Sequence, residues 1–188
     1  MKQLSLVAVI EIAIFAAISL ILDLLISFKI SSAISISFAM VPVMLIAFRW
    51  GVKGGTIAGL LWGILQLIIE PSTIGFFIQP VMEYIIAFAC IGFTGLYARS
   101  VQKHAKEGNR PKLIASIVAG VFIGSVARYI WHFIAGVIFW GKYAPKGQSA
   151  FVYSLISNGV SMLGSFVLCA IILSLIIPTS ARLVLRRA

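Results

Sequence analysis

Residues 112–140 read KLIASIVAGVFIGSVARYIWHFIAGVIFW, an apolar run that nevertheless carries an arginine, a histidine and two tryptophans. A helix needs about 20 apolar residues to cross a bilayer, and this run exceeds that, so it reads as a transmembrane helix. Within it Arg128, His132, Gly136 and Trp140 recur every four residues. On an α-helix such residues share one slowly drifting stripe. Ionisable groups in hydrocarbon are costly and seldom idle, which makes this stripe the first candidate for function.

The rest of the chain has the same character. With 61% hydrophobic and 11% charged residues and a mean hydropathy of +1.11, its composition excludes an ordinary soluble domain. Charges, Gly and Pro divide it into six apolar runs near 4–27, 33–49, 53–69, 78–98, 112–140 and 149–177. The connections between them are too short to build a soluble core. The expectation is one all-α integral membrane domain over 1–188, with six transmembrane helices. The run from Leu4 to Ile26 is longer than a signal-peptide core and has no early small-residue cleavage site, so it reads as helix 1. Cys90 and Cys169 have no metal-ligand spacing and read as small apolar packing residues.

Loop charges set the orientation. A cytoplasmic N-terminus puts Lys2, Arg49, Lys53, Arg99, Lys103, Lys106, Arg110, Lys112, Arg182, Arg186 and Arg187 inside, against Lys29, Lys142 and Lys146 outside. That bias predicts that both termini are cytoplasmic. The net charge of +10 flanks spans, where anionic lipid headgroups account for it, and no nucleic-acid-binding motif accompanies it. At about 1.5 Å per residue, Glu83 and Tyr84 on helix 4, His132 and Trp140 on helix 5, and Tyr153, Ser157 and Asn158 on helix 6 fall in the outer half, with Arg128 near the middle. This convergence predicts a pocket open to the exterior. The plainer readings are a packing ion pair for Glu83 and Arg128, a satisfied core histidine, an inter-helix hydrogen bond for Asn158, and an interfacial belt for Trp140 and Tyr143; for Tyr143 the belt is preferred.

Other features read as architecture. Gly51, Gly55, Gly59 and Gly63 make a smooth groove for a neighbouring helix. Pro42 is expected to kink helix 2, and Gly108 to Pro111 to form a turn. The serine-rich loop near 28–37 shows no regular membrane pattern and is either a lid or a plain connector. Ala13 and Ala17 on helix 1 form a small-xxx-small pair, for packing or for docking a partner. There is no phosphate-binding G-x-x-x-x-G-K-[ST] loop, no H-E-x-x-H and no G-x-S-x-G, so neither nucleotide hydrolysis nor familiar hydrolase chemistry is expected. No metal and no cofactor are expected.

The segments HFIAGVIFW (132–140), YAPKG (143–147) and YSLISNG (153–159), with MEY at 82–84, RWGVKGG at 49–55 and EIAIFAA at 11–17, closely resemble the thiamine-specific substrate-binding (S) component of bacterial energy-coupling-factor (ECF) transporters. The resemblance covers essentially the whole chain. It implies a six-helix S-component fold in the bacterial cell membrane, with no catalytic activity of its own. It also implies capture of thiamine from outside, and docking on a transmembrane coupling protein and two ATPase subunits. Glu83, Tyr84, His132, Gly136, Trp140, Tyr153 and Asn158 match the family's binding pattern. Arg128 stands where better-known members have lysine, and is expected to hold Glu83 ionised.

Glu83 is expected to meet the cationic thiazolium or the aminopyrimidine edge. Trp140 would stack on a ring, His132, Tyr153 and Asn158 would orient the ligand, and Gly136 would leave it room. The resemblance moves Ala13 and Ala17 from packing to partner docking. Two positions depart from the pattern: a loop tryptophan is replaced by Ala33, with Phe28 a substitute, and an aromatic near Lys146 is replaced by Pro145. The rival readings are an S component for another vitamin or a pyrimidine precursor, an ion-coupled secondary transporter, and an intramembrane enzyme.

Overall fold

The computed structural model describes residues 4–25, 27–29, 34–69 and 78–185. Helix α1 (Leu6–Leu25) leads into a two-stranded antiparallel hairpin of β1 (Ser27–Lys29) and β2 (Ser35–Ser37). Four long helices follow: α2 (Val41–Ile69), α3 (Ile78–Glu107), α4 (Arg110–Tyr143) and α5 (Ala150–Thr179). A short turn, Ala181–Leu183, follows α5. Among the described residues, five helices are long and apolar enough to cross a membrane.

The difference from six spans lies in the expected second helix. Ile34, Ser35, Ile36 and Ser37 alternate with the period of a strand, and 35–37 pair with β1 instead of entering a helix. Pro42 sits in the first turn of α2, where its missing N–H is no loss, so it does not kink the helix. The break comes at Gly51, whose φ of 77° is open mainly to glycine. In an unbroken helix, residues eight apart lie about 12 Å apart along the axis. Here a Cβ built on Gly55 would stand only 3.0 Å from Ala47 Cα. The chain therefore turns back on itself, and arms 41–50 and 52–69 pack side by side. The first arm is about 15 Å long, short of a full span. At the other boundaries α3 continues past the expected 98 to Glu107. Gly108 then ends it in a left-handed conformation (φ 67°), and the Asn109 side chain caps α4 by accepting from Lys112 N at 3.3 Å.

The glycine groove behaves as expected from Gly55 onward. A Cβ on Gly59 would overlap the Phe88 carbonyl oxygen, and one on Gly63 the Tyr84 carbonyl oxygen. Both obstacles are backbone atoms of α3, which cannot swing aside. Gly59→Val is therefore expected to destabilise the protein by about 3 kcal/mol, seen as a lower midpoint of thermal unfolding in detergent; an unchanged midpoint would show that the two helices can separate freely.

The hairpin is seated on a serine ladder of α5. Ser35 N–H donates to Ser161 Oγ and Ser37 N–H to Ser165 Oγ, each at 3.2 Å. Two strand residues advance about 6.6 Å and four helical residues about 6 Å, so strand edge and helix run in register. Gly164 completes the seat, because a Cβ there would overlap the Ile36 side chain. Ser37 Oγ donates to Asp23 Oδ1 at 3.3 Å, tying the hairpin to α1. Ala33 and the side chain of Phe28 lie outside the described residues.

At the far end of the bundle Arg49 gathers three elements. Its Nε donates to Glu11 at 2.6 Å, and its Nη1 to the carbonyls of Arg182 and Leu185 at 2.8 and 2.7 Å. Gln102 adds α3 by donating to the carbonyls of Phe48 and Arg49 at 2.7 and 3.0 Å. The start of α1, the reversal in α2, the end of α3 and the chain after α5 thus meet at one end, which also carries Lys53, Arg99, Lys103 and Lys106. Of the two cysteines, Cys169 is buried and Cys90 only half-buried.

Candidate substrate-binding site

A cavity of about 640 Å³ lies at the opposite end, between α3, α4 and α5. Of the residues expected to bind a ligand, Glu83, His132, Gly136, Trp140, Tyr153 and Asn158 line it. Tyr143, Ser154 and Ser157 line it as well; Tyr143 is exposed, as a residue at the mouth of the cavity would be. A second cavity of about 270 Å³ shares Glu83, His132 and Asn158 with the first, and it contains Tyr84 and Arg128. All eight expected residues therefore border one of two adjoining spaces.

Local backbone geometry aims the two central side chains. Glu83 sits on a π-helical turn, Val81–Ile86, and Trp140 on another, Gly136–Trp140. Such turns insert a residue into the helical repeat and commonly occur at functional positions. They bring the two side chains together: Trp140 Nε1 donates to Glu83 Oε1 at 2.7 Å. Gln79 Nε2 makes a longer approach to Oε2, at 3.5 Å. A carboxylate has about four acceptor positions, so Glu83 keeps acceptor capacity toward the cavity.

Asn158 uses its amide group on the protein, donating to the Ser154 carbonyl and to Ser154 Oγ, both at 3.1 Å, and presents its carbonyl oxygen as an acceptor. Ser154 in turn donates to the Phe133 carbonyl at 2.7 Å. A Cβ on Gly136 would overlap Ser154 Oγ and stand 3.0 Å from Asn158 Nδ2. Gly136 thus makes room first for this serine–asparagine pair, and not simply for a ligand. Trp140 and Tyr143 stand with ring centroids 5.6 Å apart, forming an aromatic wall.

Arg128 departs from its expected role. Among the described residues it forms no ion pair with Glu83 or any other carboxylate. It is buried, with its guanidinium 4.3 Å from the Phe88 ring centroid and 5.1 Å from that of Trp62. These are cation–π distances. Its Nε donates to His132 Nε2 at 3.3 Å. The stripe that begins with Arg128 therefore continues as a physical contact, one helical turn long, directed at the histidine and not at the glutamate.

Sequence reasoning missed Asp23 and Ser154. Asp23 borders the second cavity with Ser35 and Ser37, so it joins Glu83 as a second acid on these adjoining cavities. An aspartate two residues from the end of α1 carries no sequence signal of this, since only the hairpin's return places it there.

The fold and the site define a multi-pass membrane protein with a polar, aromatic-walled chamber at one end and a basic cluster at the other. The chain belongs to the thiamine transporter protein family (Thia_YuaJ), whose pattern matches residues 9–185. It is 45% identical over 184 residues to thiamine transporter ThiT of Bacillus subtilis (strain 168), covering 97% of this chain and 95% of that protein. It is 39% identical over 185 residues to ThiT of Lacticaseibacillus paracasei, with 97% and 91% covered. A solved structure of ThiT from Listeria monocytogenes matches with a TM-score of 0.92 and 39% identity, over 96% of this chain and 98% of that one. The family is one of transporters, not enzymes.

Proposed function

We propose that this protein is the high-affinity thiamine-binding S component of an ECF-type importer, multi-pass in the bacterial cell membrane and with both termini cytoplasmic. Thiamine combines an aminopyrimidine, whose amino group donates and whose ring nitrogens accept, with a permanently cationic thiazolium. The observation that carries the reading is the half-buried Glu83 carboxylate, fixed by Trp140 at 2.7 Å in a cavity that also offers an amide acceptor and an imidazole. In that arrangement Glu83 meets the aminopyrimidine edge or the cation, Trp140 stacks on a ring, and Tyr84, Tyr153 and Asn158 orient the ligand. The relatives named for thiamine transport support the substrate.

The basic cluster on the end opposite the cavity supports an outward-facing site under the positive-inside bias. Reading arms 41–50 and 52–69 of α2 as two separate membrane segments gives the six-helix S-component topology. Ala13 is exposed and Ala17 half-buried, while the neighbouring Ala16 is buried. The outward exposure of Ala13, with Ala17 at the edge of the same face, supports docking of a coupling protein on α1, through which ATP hydrolysis by its two ATPases would drive uptake.

Titrating purified protein with thiamine while following tryptophan fluorescence tests the binding claim. Saturable quenching at or below micromolar thiamine is expected, and its absence overturns the assignment. Trp140→Phe keeps an aromatic plane but removes the hydrogen bond to Glu83. Its loss is expected to weaken binding by about 1.5 kcal/mol, roughly tenfold; calorimetry of that variant supplies the check, since its fluorescence signal changes with the substitution.

A further inference from the structure

We infer that Arg128 is a positioning residue that fixes the tautomer of His132, so that this imidazole is neutral and presents Nδ1–H as a hydrogen-bond donor to the ligand. A guanidinium has donors only. The Nε–Nε2 contact at 3.3 Å therefore makes His132 Nε2 the acceptor, and a neutral ring with an accepting Nε2 carries its proton on Nδ1. Among the described residues no group hydrogen-bonds Nδ1, and that atom is not among the sealed, unpartnered ones. His132 borders both cavities, so this donor is available to a bound molecule.

Arg128 is itself held in place, by the rings of Phe88, Trp62 and Tyr129. It approaches His132 through Nε, the donor nearest its stem, so the histidine is constrained from one helical turn below. The consequence concerns selectivity. Glu83 and the Asn158 carbonyl present acceptors, and His132 would be the donor among them. An imidazolium would also offer a donor, but it would repel a cationic ligand. Under the thiamine reading, on which only this ligand step rests, Nδ1–H meets a ring nitrogen of the aminopyrimidine.

Long-range ¹H–¹⁵N correlation spectra of histidine-labelled, ligand-free protein in detergent test the tautomer directly. The chain has two histidines, and His104→Gln assigns the other. The wild type is expected to show His132 as the Nδ1–H form. Arg128→Met should shift it toward Nε2–H and weaken thiamine binding about tenfold, the value of one neutral hydrogen bond. Arg128→Lys retains a donor and should restore the Nδ1–H form. An Nε2–H signal in the wild type overturns the inference, as does an Nδ1–H signal that survives in Arg128→Met. Because the wild-type spectrum needs neither ligand nor variant, a poorly folded Arg128→Met leaves the inference decidable. Absence of thiamine binding by the wild type would count against the proposed function alone.

Discussion

Glu83→Gln is expected to weaken thiamine binding by about 3 kcal/mol, more than a hundredfold in Kd, with little change in fold. The side chains are nearly the same size, so the cavity keeps its shape. What changes is charge and acceptor capacity. In the wild type, Glu83 Oε1 accepts from the Trp140 indole at 2.7 Å, and the carboxylate, which lines the cavity, has acceptor capacity left for a bound molecule. Glutamine can still accept from Trp140 through its carbonyl oxygen, but its second position becomes a donor. A thiazolium or a donating amino group that met a carboxylate would then face a neutral amide, inside a half-buried site where the lost interaction is poorly replaced by water. Fluorescence titration of the two proteins under one buffer condition measures the difference. Wild-type affinity in the glutamine variant would remove Glu83 from the site.

Enlarging Ala13 and Ala17 together, for example to phenylalanine, is expected to abolish thiamine uptake in cells while leaving binding by the purified protein intact. The two effects separate because the residues sit apart from the cavity. Ala13 is exposed on α1, whereas the face that holds α1 in the bundle consists of Ala8, Ile12, Ala16, Ser19 and Leu20. Ala17 is half-buried at the edge of that outer surface and is not one of the buried face residues, so bulk at the two positions falls mainly outside the core, yet prevents another helix from approaching closely over small residues. Uptake assays compared with binding assays give the answer. Loss of both would mean that the alanines serve only to hold the fold, and retention of both would mean that docking lies elsewhere.

Much of the candidate site was legible because the residues that line its cavities are anomalous where they stand. Arg128, His132 and Trp140 interrupt an apolar run at a helical interval, and Glu83, Tyr153 and Asn158 could be placed at a common depth by counting residues. The glycine groove was legible for a similar reason: its spacing implies a close helix contact, and Gly59 and Gly63 do meet the backbone of α3. The alternation Ile34 to Ser37 held a strand signal that a purely helical reading passed over. Asp23, Ser154 and the partner of Arg128 could not be found this way, since serines and acids near helix ends are common and declare nothing until packing brings them to a cavity.

Sequence alone determined that this chain is a multi-pass helical membrane protein and which helix faces carry its polar groups, because hydrophobic run length and helical period are local properties. It could not determine where the chain reverses, which polar group faces which, or that two π-helical turns aim Glu83 and Trp140 at each other. Those depend on contacts between residues distant in the chain. Gly51 is one glycine among several until its positive φ folds α2 back, and the direction of Arg128 is open until the rings of Phe88 and Trp62 hold it toward His132 and away from Glu83.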